Sequence, residues 1–333
     1  MISLMLALQS VLAAGAARQQ SVLRPAGPQA DSAARLWWIA FWIAAAVYAI
    51  TIGTLLWAAW RAHRRVRTGA QPPSSAERTM RRAVGGALGV TVAILLVFIS
   101  YDIGAGRSLL APSRSNYLTI HVTGHQWWWE VEYADTLPHD RVTTANEIHI
   151  PVGEPVRVEL SAHDVIHSLW VPELAGKRDL VPGYHQAVWL QADTAGVYRG
   201  QCAEFCGLQH AHMALYVIAD PPDRFQSWLA SQRQPAPAPG DSVAARGLRV
   251  FLGAQCPLCH SIAGTPAYGN VGPDLTHLAS RNTIAAGTLA NTRGNLGGWI
   301  TNPRSIKPGT TMPPSQLEPR DLQALLAYLE TLK

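Results

Sequence analysis

Charge is scarce in this chain. Only 15% of its 333 residues are Asp, Glu, Lys or Arg, well under the roughly one quarter usual in soluble proteins, which points to segments that live outside water. Cysteine is scarce as well: four residues are too few for a disulfide-dense secreted scaffold. No glycine-rich phosphate loop, no nucleophile–base arrangement and no pocket of paired carboxylates can be read from the sequence. The positive excess is small, 27 Lys and Arg against 22 Asp and Glu, and it is not spread over a surface. Residues 61–82 hold seven Arg and one Glu, so a single stretch exceeds the whole excess. That removes nucleic acid as a partner. What remains is long for one ordinary domain and long enough for two or three.

The missing charges are missing in two places. Residues 36–60 and 83–101 contain none. At 1.5 Å per residue the first run reaches roughly 37 Å, enough to cross a bilayer with some tilt. Trp37, Trp38, Trp57 and Trp60 stand at its ends, where amphipathic rings favour the membrane interface. The arginines at 61, 64, 65, 67, 78, 81 and 82 between the runs place that loop in the cytoplasm by the positive-inside rule. The expected topology is a two-pass hairpin in a bacterial inner membrane, with the rest of the chain exported and lipid as its surroundings. Residues 1–17 are apolar and end in Ala13-Ala14-Gly15-Ala16-Ala17. They resemble a signal peptide, although the basic n-region is missing.

Residues 111–220 alternate apolar and polar in short runs, as in Tyr117–Thr123, Val156–Leu160 and Ala214–Ile218, the pattern of a β-sandwich or barrel. Near the end stands Cys202-x3-Cys206-x3-His210-x2-Met213. Thiolate, imidazole and thioether together favour copper over hard cations. Two thiolates can bridge two coppers, and His167 is the candidate for the second imidazole. A disulfide, a Cys2His2 zinc site and a thiol copper chaperone are the alternatives. The last two leave Met213 without a role.

His125-Gln-Trp127-Trp128-Trp129-Glu130, His167-Ser-Leu-Trp-Val-Pro172, Lys177-Arg-Asp179-Leu-Val-Pro182-Gly183 and the Cys202–Met213 block follow the two apolar runs in this order. Residues 30–230 thereby resemble subunit II of haem-copper cytochrome c oxidases. The resemblance implies a Greek-key cupredoxin domain with a binuclear Cu-A centre. Its ligands would be His167, Cys202, Cys206, His210, Met213 and the backbone carbonyl of Glu204. It further implies that the Glu204 side chain, with Asp179 nearby, reaches a magnesium ion at the subunit I interface, and that Trp127 is where electrons enter. Partners would be subunits I and III, with cytochrome c or a quinol–cytochrome c reductase as donor. Glu77 stands where the family carries the entrance carboxylate of a proton channel, but the usual Trp-Thr-x-x-Pro pattern after it is absent.

Gln234-Pro-Ala-Pro-Ala-Pro-Gly240 is an extended, semi-rigid linker, preceded by a helix expected at 222–231. Beyond it, Cys256-Pro-Leu-Cys259-His260 is the attachment motif of c-type haem, with His260 as an axial ligand. Gly272-Pro273, Trp299–Pro303 and Ile306–Pro313 follow. Residues 241–333 resemble a class I cytochrome c, an all-α domain in which the Pro273 carbonyl orients His260. Met312 would then be the second axial ligand, and Gly247 and Phe251 would pack on the last helix. The whole reads as a caa3-type subunit II that passes electrons from its own haem c to Cu-A and on to subunit I. The copper domain carries eight basic and fourteen acidic residues over 111–240, the haem domain eight and five over 241–333, so their fields favour mutual approach. A Cu-A subunit of a nitric oxide reductase and a membrane-anchored copper-delivery protein are the competing readings.

Overall fold

The structure is a computed structural model that describes residues 20–69, 76–108, 117–134 and 141–333. The signal-peptide expectation for 1–17 lies outside the described residues. The chain divides into two compact units, 31–113 and the remainder.

The smaller unit consists of two long helices, α1 (Pro28–Thr68) and α2 (Ala76–Ser108). Both are long and apolar enough to cross a membrane, and neither buries its apolar stretch within the protein. Leu56, Trp42, Leu96 and Val97 are all exposed, as a lipid-facing helix requires. At the arginine-rich end of α1, the Arg61 and Arg64 guanidinium groups lie over the rings of Trp57 and Trp60, 5.5 and 4.5 Å from the centroids. These cation–π contacts hold the cations beside interfacial aromatics.

The larger unit begins with a ten-stranded β-sandwich. One sheet has the order β3 (Val142–Ala145), β2 (Trp128–Tyr133), β1 (Leu118–His125), β5 (Val156–Ala162), β8 (Gln186–Leu190). The other has the order β4 (Glu147–Pro151), β10 (Ala214–Asp220), β9 (Gly196–Cys202), β6 (His167–Trp170), β7 (Arg178–Leu180). Pairing is antiparallel except β1 with β5 and β4 with β10, the mixed topology of a cupredoxin. Alternation dictates the core. Ile120 and Val122, Trp129 and Val131, Val156, Val158 and Leu160 are buried, and their neighbours in sequence face outward, because successive side chains on a strand point to opposite faces. They meet Ile148, Ile150, Tyr198, Leu215 and Val217 of the second sheet. Helix α3 (Pro222–Gln232) buries Phe225 and Leu229 against the sandwich, and its Trp228 stacks on His149 with centroids 4.0 Å apart.

The C-terminal part is helical. Helix α4 (Ser242–Gly253) is capped by Asp241, whose side chain accepts from the Ala244 amide at 2.8 Å. It crosses α7 (Pro319–Leu329) at Gly247. A Cβ there would lie 2.0 Å from the Ala324 carbonyl oxygen, so only glycine permits the approach. Phe251 fills the core beside the crossing with Leu325, Leu326, Tyr328 and Leu329. Helices α5 (Arg293–Thr301) and α6 (Pro303–Ile306) and two small hairpins, β11–β12 (Ser261–Ile262, Ala267–Tyr268) and β13–β14 (Thr283–Ile284, Leu289–Ala290), complete the domain.

Candidate functional site

Three elements of the sandwich converge at one end. Strand β6 starts with His167, β9 ends with Cys202, and the loop into β10 supplies Glu204, Cys206, His210 and Met213. The sulfurs of Cys202 and Cys206 lie 3.7 Å apart. His167 Nδ1 is 3.9 Å from the Cys202 sulfur, and His210 Nδ1 is 3.7 Å from the Cys206 sulfur. Met213 Sδ is 3.8 Å from Cys206, and the Glu204 carbonyl oxygen is 3.1 Å from Cys202. Donors bonded to a shared metal at about 2.0–2.3 Å stand at such separations from one another. Both cysteines are free and buried. The soft two-thiolate, two-imidazole, thioether set fits copper.

Electrostatics prepares the site. The hydrogen bond with Cys206 holds the Cys202 thiol down to about 3, and the pairing pushes Cys206 up in return. One proton is therefore lost readily and the other is left for a metal to displace. Burial pushes His167 down, but hydrogen bonds to Cys202 and Asp164 outweigh it and leave it raised. Asp164 Oδ1 lies 2.8 Å from His167 Nε2, which turns Nδ1 toward the sulfurs. The reading of the sequence missed Asp164. Its signal was a carboxylate three residues ahead of the histidine.

Of the tryptophans, Trp129 is fully buried in the core and Trp128 stacks on His125 at 4.4 Å. Trp127 is the one at the site: its Nε1 donates to the Cys206 carbonyl at 2.9 Å.

The second cysteine pair lies on a single tight turn. The amides of Cys259 and His260 both donate to the Cys256 carbonyl, at 3.2 and 3.0 Å, so the three side chains emerge within one turn of backbone. His260 Nδ1 is 2.7 Å from the Pro273 carbonyl oxygen. That contact makes Nδ1 the protonated nitrogen and leaves the Nε2 lone pair available. Burial pushes His260 down, toward the neutral form a ligand needs. Met312 packs against the core of the same domain. Leu258 in the turn, and Tyr268 and Val271 beside the glycines that abut Cys259 and His260, are large hydrophobic residues left exposed. A thiol pair, a neutral imidazole and apolar flanks fit a covalently held haem.

Residues 136–219 match the family model for the cytochrome c oxidase subunit II periplasmic domain, and residues 244–333 match that for cytochrome c. Cytochrome c oxidase subunit 2 of Alkalihalophilus pseudofirmus is 39% identical over 247 residues, 72% of this chain and 70% of that protein. The chain belongs to the cytochrome c oxidase subunit 2 family. Subunit 2 from Bacillus sp. strain PS3 is 34% identical over 66% of this chain and 63% of its own length. The chain thus spans between 63 and 70% of these two relatives. The crystal structure of the periplasmic domain of subunit II from Bradyrhizobium japonicum is 29% identical, covers 37% of this chain and 97% of its own, and superposes with a TM-score of 0.34.

Asp179 and Glu77, which the resemblance also singles out, are not among the donors. Asp179 lies exposed on β7, paired in register with Ser168. Glu77 stands in the first turn of α2, exposed, with an oxygen 3.4 Å from Arg81. The Glu204 side chain is exposed, and only its carbonyl faces the sulfurs.

Proposed function

We propose that this membrane-anchored subunit is the electron-transfer subunit of a respiratory haem-copper oxidase in a bacterial cell membrane, with both redox domains on the extracytoplasmic side. When bound, haem c and the Cu-A pair supply one-electron chemistry that relays electrons from an external donor to the haem of subunit I, where oxygen is reduced to water with proton translocation. The observation that carries this reading is the cluster of six donors within 3.9 Å steps of one another, in a chain that also carries Cys256, Cys259, His260 and Met312.

The protein's part is to hold the donors still. His167 and Cys202 sit at strand ends, where the sheet fixes their backbones, and Asp164 fixes the imidazole. Such rigidity keeps the geometry alike in both oxidation states, which one-electron transfer rewards. Trp127 links the site to the haem-domain segment packed against it through its bond to the Cys206 carbonyl. His260 is held by the Pro273 carbonyl; His260 and Met312 would hold the haem iron, and such a His/Met pair would raise its potential. Subunit I is the proposed partner for the Glu204 and Asp179 face, with magnesium between them. Subunit III and cytochrome c or a quinol–cytochrome c reductase complete the proposed assembly.

The test is to purify the full chain in detergent, load it with copper and record optical and paramagnetic spectra. A mixed-valence two-copper signal together with a low-spin c-type haem is expected. One copper per chain, or a free dithiol, would overturn the reading.

A further inference from the structure

The copper and haem domains meet through two buried side chains of opposite charge, and each reaches the other domain's backbone. Lys307, between α6 and Met312, is 3% exposed. Its Nζ donates to the carbonyls of Trp127 at 2.8 Å and His212 at 2.9 Å in the copper domain, and to Ala285 at 3.2 Å in its own. Glu147 at the start of β4 is also 3% exposed. Its Oε1 accepts from the amides of Asn282 at 2.8 Å and Thr283 at 3.2 Å in the haem domain. Further bonds between the domains run from the Ala214 amide to the Ala286 carbonyl at 3.0 Å, from Gln209 Nε2 to the Pro308 carbonyl at 2.8 Å and from Thr288 Oγ1 to the His212 carbonyl at 3.5 Å. Among the described residues no ion pair joins the two domains. The hydrogen bonds of the contact set charge against backbone, and the buried Arg281 guanidinium of the haem domain adds a longer-range attraction to Glu147.

A buried charge is tolerated only where hydrogen bonds replace its water. An ammonium has three N–H groups, and here it meets three carbonyls. Burial pulls Lys307 down to about 7, yet a neutral amine would have only two N–H groups to offer those acceptors. The Glu147 carboxylate meets two amides in the same way. A shifted docking pose would strand both charges. The loop that supplies Ala285 and Ala286 holds both at positive φ, 53° and 55°. Non-glycine residues keep that conformation only where their surroundings fix it, and both carbonyls are bonded in this contact. The linker is held as well: His277 Nε2 lies 3.1 and 3.0 Å from the carbonyl oxygens of Gln232 and Gln234, and the Ala236 amide donates to Ala263 at 2.9 Å.

We propose that Lys307 and Glu147 form a reciprocal clamp that docks the cytochrome domain in one fixed orientation on the copper domain, with the 307–312 segment seated at Trp127. Both are positioning residues. The clamp joins the segment that carries Met312 to the Trp127 carbonyl, and Trp127 in turn bonds the backbone of Cys206. The surface at Trp127, only 9% exposed, is thereby occupied by the chain's own cytochrome domain. An external donor protein then meets the haem domain and not Trp127. The consequence for electron flow rests on the function proposed above; the docking itself does not.

The test uses the full chain with copper and haem bound, as wild type, Lys307→Met and Glu147→Ala. Two quantities are read: amide exchange over residues 282–286, and the rate of haem-to-copper transfer after photoreduction. Loss of either charge should raise exchange over 282–286 and slow internal transfer, each by about tenfold or more, while the optical spectra of both centres and the protection of α4 and α7 stay as in wild type. Exchange and transfer both unchanged in the two variants would overturn the clamp. Where Lys307→Met unfolds its own domain, seen as lost protection of α4 and α7, Glu147→Ala on the other domain decides by the same criteria. Wild type lacking the copper or haem signal would count against the proposed function alone, since protection of 282–286 reports docking without electron transfer.

Discussion

Asp164 and His167 are bound side chain to side chain, Oδ1 to Nε2 at 2.8 Å, at the mouth of the copper site. The same carboxylate accepts from the amides of Gln126 and Val165, each at 2.7 Å, so it ties the histidine to two backbone segments. Removing an outer partner of a metal-ligating histidine costs roughly 10–100-fold in metal affinity. Asp164→Ala is therefore expected to weaken copper binding by that factor with the fold intact. Competition with a soluble copper chelator measures it, and an affinity equal to wild type would show that packing alone orients the ring.

Strand β1, in the other sheet, constrains the same ring. A Cβ on Gly124 would lie 2.7 Å from His167 Cδ2 and 2.9 Å from Cγ, closer than real contacts allow. Gly124→Ala forces the imidazole to move. The expected result is an altered copper hyperfine pattern and a stability loss of about 1–3 kcal/mol, the range for overpacking a core. An unchanged copper spectrum would mean that β1 yields and the ligand does not.

The proposed copper donors were legible because their types are distinctive and four of their side chains, Cys202, Cys206, His210 and Met213, lie within twelve residues of one another. The haem turn was legible for the same reason. His167 was reached only by elimination and resemblance, since it comes from a different strand. Glu147 and Lys307 were not legible. Each looks like an ordinary surface charge in sequence, and its meaning comes from backbone groups 135 and 180 positions away. Asp164 left only the weak signal of its place three residues ahead of His167. Side-chain contacts to distant backbone leave no residue-type signal in the partner. The sandwich followed from period-two alternation, but the crossover order of its sheets depends on long-range pairing that no local pattern encodes.

Acid sensitivity should centre on a second histidine. Burial against Trp228 pushes His149 below its ordinary 6.5, more than the hydrogen bond to Asp220 raises it. The unfolded chain then takes up a proton at a pH where the folded ring stays neutral. The group's contribution to stability is complete above about pH 6.5 and falls away as the pH drops through the lowered value. Denaturant midpoints of the full chain between about pH 7.5 and 5 should fall more steeply for wild type than for His149→Gln. Parallel curves would place the acid sensitivity elsewhere.

Glu77 permits a test in which stability and function separate cleanly. Its carboxylate is 77% exposed and pairs with Arg81, one helical turn on at 3.4 Å. Exposed pairs at this spacing are worth about 0.3–0.5 kcal/mol, so Glu77→Gln should leave the assembly and the spectra of both metal centres intact. If this carboxylate is the proposed entrance to a proton path in subunit I, the neutral amide cannot take up and release protons, and steady-state oxygen consumption by the assembled complex should fall. Electron transfer into the copper centre, measured separately, should not change. Equal turnover in wild type and variant would leave Glu77 as a helix-terminal charge, favourable beside the positive end of the α2 dipole and without a part in proton uptake.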